Sequence, residues 1–185
     1  MKAPEFPHKI IISEEKIAGR IIELGKRITL DYMNREPVAV GILKGSFLFF
    51  ADLIRHIHLP IKTDFLSVSS YGDSMESSGN VRIKNDITLP VKGEDLLIIE
   101  DIVDTGTTSK FMIDYLKDKN PRSIKICTLL NKQDARYPIN DFYIDYIGFN
   151  VPDKFLIGYG LDYKEKYRNL PYIASIEKDI FNRKE

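Results

Sequence analysis

From Ser13 onward the apolar residues Ile17, Ile21, Leu24 and Ile28 recur at three- and four-residue intervals, which predicts an amphipathic helix. Glu14 and Glu15 fall in its first turn, where the helix dipole favours acids, and Pro37 bounds it. Val38 to Leu43 is a continuous apolar run and predicts a buried strand, followed by the turn Lys44-Gly45-Ser46. Ser46 is placed to cap a second helix, with Phe47, Phe50, Ala51 and Ile54 on one apolar face. A strand is expected from about Ile61 to Ser70. The segment SYGDSMESSGN that follows has no hydrophobic period and reads as a loop. Beyond Pro90 and Gly93 the run LLIIE predicts a buried strand, followed by DIVDTGTTSK and a short helix carrying Phe111, Met112, Tyr115 and Leu116. Asn120-Pro121 stops that helix, and Ser123 to Leu130 predicts a further strand.

Strands alternating with helices predict an α/β fold with a parallel sheet, and ligand chemistry at the carboxyl ends of its strands. The last third of the chain differs. It is rich in aromatics and is broken into short segments by Pro138, Pro152 and Pro171. The pattern predicts a single domain over residues 1–185, with a core from about 37 to 130 capped by segments from both termini. No internal repeat is present.

Composition narrows the class. Hydrophobic residues make up 43% of the 185 and charged residues 29%, which is ordinary globular usage and excludes wholesale disorder. Lys+Arg and Asp+Glu each number 27, so the chain lacks the basic surplus with which nucleic-acid binders neutralise phosphates. One cysteine, Cys127, forms no intrachain disulfide and reads as a buried small hydrophobe. His56 and His58 have no third ligand nearby, which argues against a metal site. No apolar run approaches the roughly 18 residues of a membrane span, and the N-terminus has no secretory pattern, so a cytoplasmic protein is expected.

The informative stretch is LLIIEDIVDTGTTSK, residues 96–110. A strand ends in two adjacent carboxylates, Glu100 and Asp101; Asp104 follows, and Thr105-Gly106-Thr107-Thr108 leads into a helix. Gly106 permits a tight loop, whose backbone N–H groups, Thr hydroxyls and helix N-terminus suit a phosphate monoester. Adjacent carboxylates suit a vicinal diol, because each oxygen can accept from one hydroxyl. Phosphate and diol together describe a ribose 5-phosphate. The segment lacks the GK[ST] of a Walker loop and the GxGxxG of a dinucleotide site.

EDIVDTGTT resembles the phosphoribosyl-diphosphate (PRPP) signature of the type I phosphoribosyltransferases, and its Glu-Asp pair and DTG resemble the hypoxanthine-guanine branch. LKGS at 43–46, SSYGDSMESSGN at 69–80, and LLNK with VPDKFLIGYGLDYKEKYRNL between 129 and 170 match the same family in order. The resemblance implies the type I phosphoribosyltransferase fold: a mostly parallel central sheet flanked by helices, with a small hood from about 1–36 and 131–185. It implies transfer of 5-phosphoribosyl from PRPP to N9 of hypoxanthine or guanine, with Mg²⁺ as cofactor and a homodimer or homotetramer as the assembly.

Residue by residue, the resemblance implies that Glu100 and Asp101 bind the ribose hydroxyls and that Thr105, Gly106, Thr107 and Thr108 cradle the 5′-phosphate. Asp104 would lie near purine N7, as a general base or as a hydrogen-bond acceptor. The Lys44-Gly45 peptide would be cis, or near it, and turn an N–H toward pyrophosphate, with Arg168 pairing to its oxygens. Ser70 and Tyr71 would open a lid that keeps water from an oxocarbenium-like ribose. Lys132 would donate to the purine 6-oxo group, Phe155 would stack on the base, and Leu156 would offer backbone groups to its edge. Asp162 would help hold Mg²⁺ with Glu100 and Asp101, and its carbonyl would meet the 2-position of guanine. Arg136 matches a family arginine near the same acids. Two rivals remain at this point: a PRPP-sensing regulator that binds RNA, and a xanthine-preferring transferase.

Overall fold

The computed structural model describes residues 8–70, 81–135 and 142–176. Six strands form the main sheet in the order β4-β3-β2-β5-β6-β7: β2 (Val38–Leu43), β3 (Lys62–Ser70), β4 (Val81–Asn85), β5 (Asp95–Val103), β6 (Ser123–Asn131) and β7 (Tyr146–Asn150). All neighbours pair in parallel except β3 and β4, which are antiparallel. A second, antiparallel sheet has the order β1-β9-β8 and joins β1 (His8–Ile12) with β8 (Phe155–Ile157) and β9 (Ile173–Ile176). Segments near both ends of the described chain, β1 and β9, therefore pair in one small second sheet.

Period-two alternation sends the central strands to two cores. Ala39, Leu97 and Ile99 join one cluster with α1 (Glu14–Asp31) and α2 (Phe47–Ile54); Val38, Val40, Leu96 and Ile98 join the other with α3 (Thr107–Lys117). That burial on both faces explains why these strands read as unbroken apolar runs. In α1 the expected stripe of Ile17, Ile21, Leu24 and Ile28 is the buried face, and Ser13 caps the helix by accepting from Lys16 N. Among the described residues no helix is long and apolar enough to cross a membrane.

Four expectations are corrected. Ser46 does not cap α2: its φ of −75° is already helical, and its buried hydroxyl donates to the Ile42 carbonyl at 2.6 Å. The turn is thus wound onto the end of β2, and the buried face becomes Phe49, Phe50 and Leu53, while Phe47 stays 40% exposed. The main sheet runs past residue 130, because β7 continues the parallel ladder beside β6. Strand β5 does not stop at the carboxylates; pairing of Ile102 with Leu130 and Val103 with Asn131 carries it two residues past Asp101.

The fourth correction concerns the cis peptide, which lies at Leu43–Lys44, one bond before the expected position. Gly45 meets a different need. A Cβ there would come within 1.7 Å of Asp101 Oδ2, so only glycine lets the turn close against that carboxylate.

Candidate functional site

Three parallel strands side by side deliver the site. Lys44 follows β2, Asp104 follows β5 and Lys132 follows β6, so all three stand at the carboxyl edge of the sheet, where open α/β sheets bind ligands. A cleft of about 530 Å³ opens there. Lys44, Gly45, Glu100, Asp101, Asp104, Thr105, Gly106 and Thr108 line it from the main sheet and its loops, and Asp162 and Arg168 from the segment above. Thr107, Lys132, Phe155 and Leu156 are not in its lining. Tyr71 and Arg136 lie outside the described residues, and Ser70 closes β3 opposite Val81.

Gly106 has φ +83° immediately before α3, the left-handed conformation that glycine adopts without steric cost. It turns the chain from Asp104 straight into the helix, so Thr105 and Thr108 reach the cleft at the helix N-terminus. Thr105 and Thr107 join their hydroxyls at 3.3 Å. The loop therefore offers N–H groups, hydroxyls and a positive dipole end to an anion.

Successive strand residues point to opposite faces, and Glu100 and Asp101 follow that rule. Glu100 is buried and accepts from Ser109 Oγ at 2.7 Å on the α3 side. Asp101 lies against Gly45 on the other. Burial pushes the Asp101 carboxyl up to about 6, against the pull of backbone hydrogen bonds and the Arg168 guanidinium. Ser109 was missed in the sequence, although its place in the first turn of α3, directly behind DTGTT, was a usable signal.

Arg168 is held from three sides. One guanidinium nitrogen donates to the Gly160 carbonyl at 2.8 Å; the other lies 2.8 Å from Asp162 Oδ1 and 3.1 Å from Glu165 Oε2. Asp162 Oδ2 also accepts from the Glu165 N–H at 2.9 Å. Gly160, at φ +100°, lets this segment approach the β2 turn: a Cβ there would meet the Gly45 carbonyl at 1.9 Å. Lys44 reaches Glu165 Oε2 at 3.1 Å, and these two ion pairs hold the Glu165 carboxyl below its usual range.

Lys132 is buried at the foot of the same edge. Its Nζ lies 2.7 Å from Asp104 Oδ2 and 3.2 Å from Asp153 Oδ1. Asp104 thus links the cleft to Lys132. Phe155 begins β8, half-buried, with its ring edge-on to Tyr163 at 6.0 Å. Leu156 is buried in the core and presents its backbone to β9 opposite Ser175.

Glu100, Asp101 and Asp162 are the oxygen donors available to a hard cation, but among the described residues no three His, Cys, Asp or Glu side chains converge on one point. That donor set fits an ion bound through one or two carboxylates that takes its remaining ligands from a substrate, as Mg²⁺ does with phosphates.

The Phosphoribosyl transferase domain family matches residues 9–164. The chain belongs to this family. A hypoxanthine-guanine phosphoribosyltransferase from Bacillus subtilis (strain 168) is 47% identical over 173 residues, spanning 94% of this chain and 95% of the relative. One from Streptococcus pneumoniae (strain ATCC BAA-255 / R6) is 44% identical over 174 residues, 94% of this chain and 96% of the relative. Among solved structures, a hypoxanthine phosphoribosyltransferase from Staphylococcus aureus superposes with a TM-score of 0.87 at 43% identity, covering 94% of this chain and 93% of that one. The family-wide likeness fits the type I phosphoribosyltransferase fold implied by the sequence, and the family is generally magnesium-dependent.

Proposed function

We propose that this chain is a purine-salvage enzyme, a hypoxanthine (guanine) phosphoribosyltransferase. It transfers 5-phosphoribosyl from PRPP to N9 of hypoxanthine or guanine, giving IMP or GMP and diphosphate. The observation that carries the reading is the phosphate loop of residues 104–108 opening into the cleft with Asp104 paired to Lys132.

In this reading Thr105 to Thr108 hold the 5′-phosphate, while Glu100 and Asp101 take the ribose hydroxyls. Lys44 and Arg168 face the pyrophosphate from two walls of the cleft, and Gly45 presents its backbone. Lys132 has donors only, so it selects a 6-oxo purine over the 6-amino group of adenine. Asp104 accepts from N7 as N9 attacks C1′. Phe155 stacks on the base and Leu156 lends it backbone groups, while Ser70 and Tyr71 open a lid that excludes water. Positioning and charge stabilisation dominate such a displacement, with proton transfer adding about 10²–10⁴-fold. Mg²⁺, held through Glu100, Asp101 and Asp162 together with substrate oxygens, would neutralise phosphate charge. The reading places the enzyme in the cytoplasm as a homodimer or homotetramer.

The test is nucleotide formation from PRPP and Mg²⁺ with hypoxanthine, guanine, xanthine and adenine in parallel. Turnover of the first two with adenine inert is the expected result. Xanthine turning over fastest would make it a xanthine enzyme. No turnover with any base, from folded protein that binds PRPP, would sink the transferase reading and promote the RNA-binding regulator.

A further inference from the structure

Glu165 stands at the tip of a tight turn above the cleft. Tyr163 and Lys166 exchange backbone hydrogen bonds at 3.1 and 3.0 Å, and the two residues between them, Lys164 and Glu165, have φ of +52° and +60°. Asparagine and glycine are the usual occupants of such a turn, so two ordinary side chains here are held in place by their surroundings. The side chain of Glu165 then bridges two segments that line the cleft. A single oxygen, Oε2, lies 3.1 Å from Lys44 Nζ and 3.1 Å from an Arg168 guanidinium nitrogen. Lys44 follows β2 in the main sheet, whereas Arg168 belongs to the segment above it. One carboxylate oxygen thus unites cations from two separate segments of the chain.

We propose that Glu165 is an internal counter-anion, whose carboxylate oxygen holds the place of a pyrophosphate oxygen between Lys44 and Arg168 and yields it when pyrophosphate arrives. The inference rests on the proposed function, in which those two cations face pyrophosphate. An ammonium and a guanidinium brought together repel, and a carboxylate between them offsets that repulsion and keeps both aimed at one point. The contact is open to water: the Lys44 and Glu165 side chains are 67% and 66% exposed, so the bond is weak and exchangeable. A polyanion carries more charge than one carboxylate and displaces it. After transfer, Glu165 reclaims the cations and favours release of the diphosphate.

Calorimetric titration of inorganic pyrophosphate at fixed Mg²⁺ and low salt tests this on the full chain, with Glu165→Gln and Glu165→Asp beside it. Glu165→Gln removes the competitor and binds pyrophosphate about 1.5- to 5-fold tighter than wild type. Glu165→Asp keeps the charge but draws the carboxylate back by one methylene, and it also binds tighter. Equal or weaker binding by Glu165→Gln overturns the inference while leaving the transferase reading intact. So does tighter binding by Glu165→Gln with wild-type affinity in Glu165→Asp, because bulk charge would then account for the effect. Failure of the wild type and both variants to bind, with unchanged melting temperatures, overturns the reading of the cleft and the inference together.

Discussion

The Lys132 ammonium lies 2.7 Å from Asp104 Oδ2, joining the residue that follows β6 to the residue that follows β5. Neighbouring parallel strands thus present a donor and an acceptor at one edge, with Asp153 at 3.2 Å as a second anchor. Replacing Lys132 by Met keeps the buried stem and removes the ammonium. The two partner carboxylates are 47% and 63% exposed, so water takes over their solvation and the fold persists. A charge-assisted hydrogen bond is worth roughly 1.5–3 kcal/mol. KM for hypoxanthine is therefore expected to rise about 10- to 100-fold, with calorimetric PRPP affinity little changed. An unchanged KM would remove Lys132 from base recognition.

Gly45→Ala tests the packing of the β2 turn on Asp101. The added Cβ would come within 1.7 Å of the carboxylate oxygen and must displace it. Overpacking of this kind costs about 1–3 kcal/mol, so PRPP affinity should fall by roughly 10- to 100-fold. Circular dichroism should stay native. Wild-type affinity for PRPP in this variant would show that Asp101 does not need its present place.

Gly19→Ala makes the opposite point. Gly19 lies within α1, and a Cβ there meets nothing within 4 Å. Alanine in a helix interior is favoured over glycine by about 0.5–1 kcal/mol. In a domain of this size that corresponds to a rise in Tm of roughly 1–4 °C, read by calorimetry. A fall in Tm would mean that this face of α1 is covered in the native assembly.

Asp64 governs acid stability away from the cleft. Burial pushes its carboxyl up, but the backbone N–H groups of Leu89, Phe65 and Thr88 and the Thr88 hydroxyl outweigh that push and hold it below its ordinary value of 3.8. A carboxyl depressed by folding contributes stability that is complete above its ordinary value and is lost as pH falls through the folded one. Asp64→Asn turns an N–H₂ toward these donors and should cost roughly 1–3 kcal/mol at pH 7. Denaturant melts from pH 7 down to 2 should show a constant gap between wild type and variant to about pH 4, narrowing below it. A gap independent of pH would place the effect outside this carboxylate.

The chemistry of this protein was legible in its sequence wherever neighbouring residues build the feature together. DTGTT makes a tight strand-to-helix loop from local backbone geometry, because Gly106 sets the turn and α3 follows at once. The central strands were equally plain, since burial on both faces writes an unbroken apolar run. Less legible were the positions set by contacts between distant segments. Ser46 gave up its capping role because β2 offered its hydroxyl a carbonyl, and β7 joined the main sheet because β6 still had a free edge beyond residue 126.

Several relationships exist only in the folded chain. Gly45 needs Asp101, 56 positions on, to explain why it is glycine; Lys44 meets Glu165, 121 residues away. Lys132 finds Asp104 because β5 lies beside β6, and Asp153 because β7 pairs along the other edge of β6. Residue type and local spacing determined which groups this protein carries and the loop that presents them. Strand order and the folding of the last segment over the sheet decided which charges face one another, because ion pairs act over a few ångströms in space whatever their separation along the chain.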